Sequence, residues 1–306
     1  MHKNSIKNNF KFLIRKIFSL TNSEDKNYKL LTILGITIKI RRIPKKYKLI
    51  KHVPHKFELP AFQKPLVSII IPVYNQYKYT ERCLYSILKT VKDIPYEIII
   101  ADDCSKDETK HIEQNIKGVT SIKTTGNFGF LKNVKNAVLH AKAKYIFLMN
   151  NDILVTKNWL DALYKFLEQN QEVGVAGSLC LNSDNTIQEY GAWIDKDGVS
   201  HPNIPKETKL LNLRPLETEY CSGCAMMFLK SDWDKLGGFD EQFAPAYYED
   251  SDFCYQIKYN LNKKVYCVPT SKIFHFRSKT YSVKANELSE KNRKLFLKKW
   301  KTQINK

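Results

Sequence analysis

Four short extended runs, separated by helical patterns and each closed by a polar cluster, restrict what this chain can fold into. Residues 67–73 form a β-branched run that contains Pro72, and residues 80–90 then carry Leu84, Ile87 and Leu88 at helical spacing. Residues 97–101 are a second continuous apolar run. It passes directly into Asp102, Asp103, Cys104, Ser105, Lys106 and Asp107, ahead of a helical stretch around 110–116. A third strand at 120–124 leads to a loop with Asn127 and Gly129, and a helix over 131–143 follows. The fourth strand, 145–149, ends in Asn150, Asn151 and Asp152. Strands that are apolar on both faces and alternate with helices predict an α/β fold whose mainly parallel sheet is covered on both sides. Ligands of such sheets bind beyond the carboxyl ends of the strands, where all of these polar clusters lie.

Charge divides the chain into three parts. The 306 residues carry a formal charge of +19, yet residues 1–66 hold 16 Lys/Arg against 3 Asp/Glu, residues 282–306 hold 8 against 2, and the remainder is neutral. A basic extension over 1–66, a neutral body over 67–281 and a basic helix over 282–306 are therefore expected. A uniformly basic packer of nucleic acid is a poor description, and the basic ends lack the interleaved aromatics of single-strand readers. Within 5–20, Ile6, Phe10, Leu13, Ile14 and Ile17 share a helical face while Lys7, Lys11 and Arg15 run down another. Such a helix either lies on an anionic membrane surface or docks on the protein's own body. Residues 30–40 read as β-rich, and 285–304 as a helix with Leu288, Leu295, Phe296 and Trp300 apolar.

No run reaches the roughly 18 to 20 apolar residues of a spanning helix. Arg15 and Lys16 interrupt the place of a secretory apolar segment, so a cytoplasmic location is expected, peripheral on the inner face of the membrane. The seven cysteines form an odd set scattered through apolar sequence, as reduced buried thiols do. Cys221 and Cys224 make a CxxC without a second such pair, which leaves core thiols or a metal or redox use open.

Neither a GxGxxG after the first strand nor a GxxxxGK[ST] is present, so the dinucleotide and P-loop fingerprints are missing. Instead Pro72, Val73, Tyr74 and Asn75 close the first strand. An aromatic ring there suits stacking on a base. A carboxylate at the second strand end, Asp102 or Asp103, suits a base N–H or ribose hydroxyl, or caps the next helix. Asp152 with its polar neighbours suits Mg2+ or Mn2+ held partly by diphosphate oxygens.

The segments VSIIIPVYN (67–75), EIIIADDCS (97–105), NFGFLKNVKNA (127–137), FLMNND (147–152), GGFDE (237–241) and YYEDSDF (247–253) together resemble the ordered motifs of family 2 glycosyltransferases, an inverting group with the GT-A fold. The resemblance covers residues 66–280, and 187–191 further resemble the rhamnosyltransferase-like subgroup. It implies a Rossmann-like nucleotide-binding half fused to an acceptor-binding half. Pro72, Tyr74, Asn75, Asp103, Asn127, Gly129 and Asn151 would serve the nucleotide sugar. Asp152 would hold a divalent metal, with Asn150 in place of the usual first carboxylate, a change that leaves the metal more dependent on the donor's diphosphate. Asp250 would be the general base and Glu249 its positioning neighbour. His275, following a strand over 264–268 and Pro269, would join the metal or diphosphate site or be structural. An arginine common six residues after the aspartate is Gln256 here. Ser278 and Lys279 would close over the donor, and Trp193 and Trp233 would line the acceptor cleft or pack in the core.

The expected activity is transfer of a sugar from a UDP- or dTDP-sugar to a hydroxyl of a cell-surface glycan precursor, lipid-linked, lipopolysaccharide or capsule, without nucleic acid. The alternative is an inactive GT-A-like module tethered to membrane by its basic ends. The joint presence of Asp103, Asp152 and Asp250 favours the enzyme.

Overall fold

The computed structural model describes residues 18–22, 28–33, 36–41, 53–205, 213–277 and 283–304. The chain divides into two units, Met1–Lys48 and Leu49–Lys306. The first contains an antiparallel meander, β1 (Phe18–Asn22), β2 (Tyr28–Ile33) and β3 (Ile36–Arg41). Within 30–40, residues 30–33 and 36–40 are thus β-structure as expected. Of the helix expected over 5–20, residues 18–20 instead belong to β1, and 5–17 lie outside the described residues. Ser278 and Lys279 also lie outside them.

The second unit is built on β4 (Val67–Val73), α1 (Tyr77–Thr90), β5 (Tyr96–Asp102), β6 (Thr120–Lys123), α2 (Phe130–Val138), β7 (Tyr145–Met149), β8 (Ile153–Val155) and α3 (Trp159–Gln169). It continues through β9 (Val173–Leu181), β10 (Ile187–Glu189), β11 (Ala225–Leu229), α4 (Lys230–Leu236), α5 (Glu249–Asn260), β12 (Lys264–His275) and α6 (Val283–Ile304). The main sheet runs β8-β12-β9-β11-β7-β4-β5-β6. Strands β7, β4, β5 and β6 are parallel, so their carboxyl ends share one edge.

The other half is mixed. Strand β11 is antiparallel to both β7 and β9, β9 and β12 are parallel, and β8 closes the edge antiparallel to β12. Two apolar layers cover the sheet. One side holds Ile69, Ile71, Ile98, Ile100, Phe147 and Trp159, and the other Ile70, Ile99, Ile146, Leu148, Phe228 and Phe253. The β-branched runs form strands because both faces of each are buried.

Three local expectations change. The stretch around 110–116 is a 3-10 turn (Glu108–His111) and one helical turn (Ile112–Asn115). Helix α2 stops at Val138 rather than 143, because the amides of Lys142 and Ala143 are taken by Glu97 Oε1 and Ser68 Oγ, at 2.7 and 3.1 Å. Strand β12 runs unbroken past Pro269, with a register shift against β9 between Ser178 and Leu179, so His275 ends the strand instead of following it.

Helix α6 packs on the body. Phe296 and Trp300 are buried beside Tyr255, and Trp300 Nε1 donates to Asp252 at 2.7 Å. Lys299 reaches both Asp240 and the fully buried Asp252, each at 2.8 Å. Asn292 is fully buried, and its Nδ2 lies within 3.0 Å of the carbonyl oxygens of Phe243, Ala246 and Tyr247. Asn292→Ala should destabilise the protein by about 2–3 kcal/mol, roughly 1 kcal/mol for each lost bond. Urea unfolding would show this as a lower midpoint with an unchanged slope.

Candidate active site

The carboxyl edge of the parallel strands is knitted by side chains acting on loop backbone. After β4, Asn75 and Gln76 take positive φ angles of 57° and 64°. The Asn75 amide donates to Ser105 Oγ at 2.7 Å, and its side-chain oxygen accepts from Lys106 N–H at 2.7 Å. Asp107 accepts from the Tyr77 amide at 2.9 Å and caps the following 3-10 turn. Asp102 accepts from the Ser105 amide at 2.8 Å. Asp103 is only 4% exposed, and its two oxygens accept the amides of Phe128 and Gly129, both at 2.8 Å, and the Thr124 hydroxyl at 3.1 Å. It anchors the 124–129 loop. Gly129 is required there: φ is +84°, and a Cβ would lie 2.4 Å from that of Pro245. Asn127 and Phe128 are exposed.

After β7, Asn150, Asn151 and Asp152 enter a cavity of about 960 Å3 together with Pro72, Tyr74, Asn75 and His275. Tyr74 is half exposed, its ring available to a ligand. Asn151 Nδ2 is held by Thr80 Oγ1 at 3.0 Å. Asp152 Oδ1 lies 3.4 Å from His275 Nε2, and the other ring nitrogen, Nδ1, lies 2.8 Å from Gln188 Oε1. Burial alone would lower the His275 pKa, but Cys224 and Asp152 carry it up to about 10. Among the described residues no group of three or more His, Cys, Asp or Glu side chains forms a metal cage. An Asp–His pair in an open cavity fits a hard or borderline cation that takes its other ligands from phosphate.

The acidic residues adjoin the Ser222–Cys224 part of the lining. Tyr247 and Tyr248, at φ 76° and 70°, turn the chain into α5, so that Glu249 and Asp250 occupy its first turn. Asp250 accepts from the amides of Gly223 at 2.9 Å and Ser251 at 2.7 Å. Burial raises its pKa in spite of these bonds. Glu249 is buried and its pKa is well above the ordinary value, first through burial and then through the charge of Asp250. Asp250 does not line the cavity itself; it abuts Gly223, between the lining residues Ser222 and Cys224.

The cavity thus gathers Pro72, Tyr74, Asn75, Asn151, Asp152 and His275 of the expected set, while Asp103, Asn127, Gly129, Glu249 and Asp250 stand outside its lining. It also holds residues the sequence did not single out. These are Gln188 and Glu189 from β10, Arg277 after β12, and Asn286 and Ser289 from α6. Trp233 packs in the core against Phe228, Phe239 and Phe253, and Trp193 is exposed and stacked on His201 at 4.4 Å. All seven cysteines are free thiols, with Cys180 and Cys224 sulfurs 3.8 Å apart.

The sequence pattern described as "Glycosyl transferase family 2" matches residues 68–237. Over 218 residues the chain is 28% identical to poly(ribitol-phosphate) beta-N-acetylglucosaminyltransferase TarP of Staphylococcus aureus (strain N315), covering 67% of this chain and 60% of that protein. Over 230 residues it is 25% identical to rhamnosyltransferase WbbL of Escherichia coli (strain K12), covering 69% and 83%. The chain therefore spans less than two thirds of the length of the first of these relatives. GalNAc-T7, solved with UDP, GalNAc and Mn2+, superimposes with a TM-score of 0.58 at 17% identity over 70% of this chain and 44% of that one, a likeness of GT-A fold. With the family pattern spanning more than half of its length on a sheet of the matching architecture, the chain belongs to glycosyl transferase family 2.

Proposed function

We propose that the protein is an inverting glycosyltransferase that moves a sugar from a UDP- or dTDP-sugar to a hydroxyl of a cell-surface glycan precursor. The observation that carries this is one cavity at the carboxyl edge of the strands that is lined by the Asp152–His275 pair and by Glu189, with Asp250 held on Gly223 between two of its lining residues. TarP is named for transfer to poly(ribitol-phosphate) and WbbL for transfer of rhamnose, which supports a glycan or glycan-like polymer as the class of acceptor. Tyr74 offers its face to the nucleobase, with Pro72 beside it. Asp103 holds the loop of Asn127 and Gly129 against this end of the site. Asp152 and His275 would hold Mg2+ or Mn2+, which when bound supplies Lewis-acid neutralisation of the departing diphosphate. Gln188 fixes the His275 ring through Nδ1 and so directs Nε2 at Asp152.

Asp250 takes the proton of the acceptor hydroxyl, and Glu249, whose pKa burial raises well above the ordinary carboxylate value, is its positioning neighbour. Asp152→Ala should weaken nucleotide binding in the presence of Mn2+ and leave it unchanged in EDTA, as read by calorimetry. Equal loss in both conditions would contradict the metal role.

The base acts in its deprotonated form, so turnover falls as pH drops through the pKa of Asp250. Because burial raises that pKa, the acid limb of kcat/KM should lie above the ordinary carboxylate value of about 4. Asp250→Asn should lower kcat by about 10²- to 10⁴-fold while nucleotide affinity persists. A panel of nucleotide sugars tested for release of nucleotide identifies the donor and checks the activity at once.

Among the described residues no helix is long and apolar enough to cross a membrane. The proposed location is peripheral, on an anionic inner membrane surface that carries the acceptor. With Phe296 and Trp300 of α6 buried in the body, the apolar contact with lipid falls to residues 1–20. Binding to phosphatidylglycerol vesicles should weaken with salt and disappear when residues 1–20 are removed.

A further inference from the structure

Strand β10 carries a β-bulge against β9. Cys180 pairs with Glu189 and Leu181 with Ile187, so Gln188 is the extra residue. Successive residues of a regular strand face opposite sides. Here the bulge lets both Gln188 and Glu189 reach the cavity. Gln188 is consumed by His275, through Nδ1 and through the backbone oxygen. Glu189 is not consumed in this way. Its Oε1 accepts only the Ser222 amide, at 3.3 Å, and Oε2 has no hydrogen-bond partner among the described residues. The next amide along, that of Gly223, holds Asp250. Two consecutive amides of one turn thus carry two carboxyl groups, of which Glu189 is the one that lines the cavity.

We propose that Glu189 is a substrate-binding residue that receives a sugar hydroxyl of the donor or of the acceptor beside the base. This rests on the glycosyltransferase reading above. Burial, with the neighbouring Cys224 and Asp250, pushes its pKa up to about 8, so at neutral pH the carboxyl is largely protonated and Oε2 can donate as well as accept. A neutral, partly buried carboxyl with a free oxygen suits a polyhydroxylated ligand. It does not suit a phosphate, which Arg277 on the same wall would attract.

The test compares wild type, Glu189→Gln and Glu189→Ala as full chains. Calorimetry with UDP, dTDP and the corresponding sugar nucleotides in Mn2+ separates the sugar from the nucleotide. Transfer kinetics with the donor so identified, and an acceptor glycan extract from the producing cell surface, give kcat and KM. Glu189→Ala should leave nucleoside diphosphate affinity unchanged. If the hydroxyl belongs to the donor, sugar-nucleotide affinity falls about ten- to hundredfold; if it belongs to the acceptor, acceptor KM rises by that factor with donor affinity intact. Glu189→Gln should recover most of either loss, since an amide keeps the donor and acceptor of a neutral carboxyl. Unchanged sugar-nucleotide affinity and acceptor KM in Glu189→Ala would overturn the proposal. So would a Glu189→Gln enzyme as inactive as Asp250→Asn, because Glu189 would then be the base. A wild type that binds no sugar nucleotide would remove the glycosyltransferase reading and this proposal together, whereas an active wild type with indifferent variants removes this proposal alone.

Discussion

Parallel strands deliver their carboxyl ends to one edge, and the loops that leave that edge carry amides no ladder can satisfy. Each such amide, buried and unpaired, costs about 1–3 kcal/mol. The loops after β4, β5 and β6 are held because Asn75, Asp102, Asp103 and Asp107 accept from the backbone of their neighbours across up to 32 residues of sequence. Everything at the site depends on this lacing. It fixes Tyr74 and Asn75 at the cavity, sets the 124–129 loop against Pro245, and leaves Asn150, Asn151 and Asp152 of the loop after β7 lining the same cavity.

The acidic residues follow a different physical logic. Burying a carboxyl group is expensive, and a buried one responds by holding its proton. Glu189, Glu249 and Asp250 are all displaced in that direction, and Asp250 and Glu189 are steadied by amides of the Ser222–Gly223 turn. Neighbouring buried acids, each pushed toward holding its proton, add nothing to the stability of a folded chain, and carboxyl groups so displaced beside a cavity mark a candidate functional site.

The parallel half of the fold was legible because β4, β5 and β7 are buried on both faces, which leaves a continuous apolar run in sequence. The mixed half was not, since nothing in residues 225–229 signals that this strand enters between β7 and β9 in the opposite direction. The end of α2 was missed for a tertiary reason: Ser68 and Glu97, distant in sequence, capture the amides that would have continued it. Asp152 and His275 were found as separate motifs and prove to be neighbours. Glu189 escaped because a bulge, which no composition or periodicity announces, aims it. Asp103 shows the converse. A carboxylate at a strand end resembles a ligand-binding group, and here its oxygens are already given to the loop it holds.

The C-terminal helix changes how the basic charge is understood. Its apolar residues are spent on the body, and Lys299 neutralises the buried Asp252 in the helix that begins with Glu249 and Asp250. Gln256, at the position where the family resemblance leads one to expect arginine, donates to that same aspartate at 2.7 Å, and the cation that meets it is Lys299 of α6. Asn292 binds the carbonyls of the loop leading into Glu249, while Ser289 and Asn286, about one and two turns earlier on the same helix, line the cavity. The same helix therefore lines the cavity and braces the loop that leads into Glu249 and Asp250. Of the two basic ends that the charge distribution set apart, this one is built into the site.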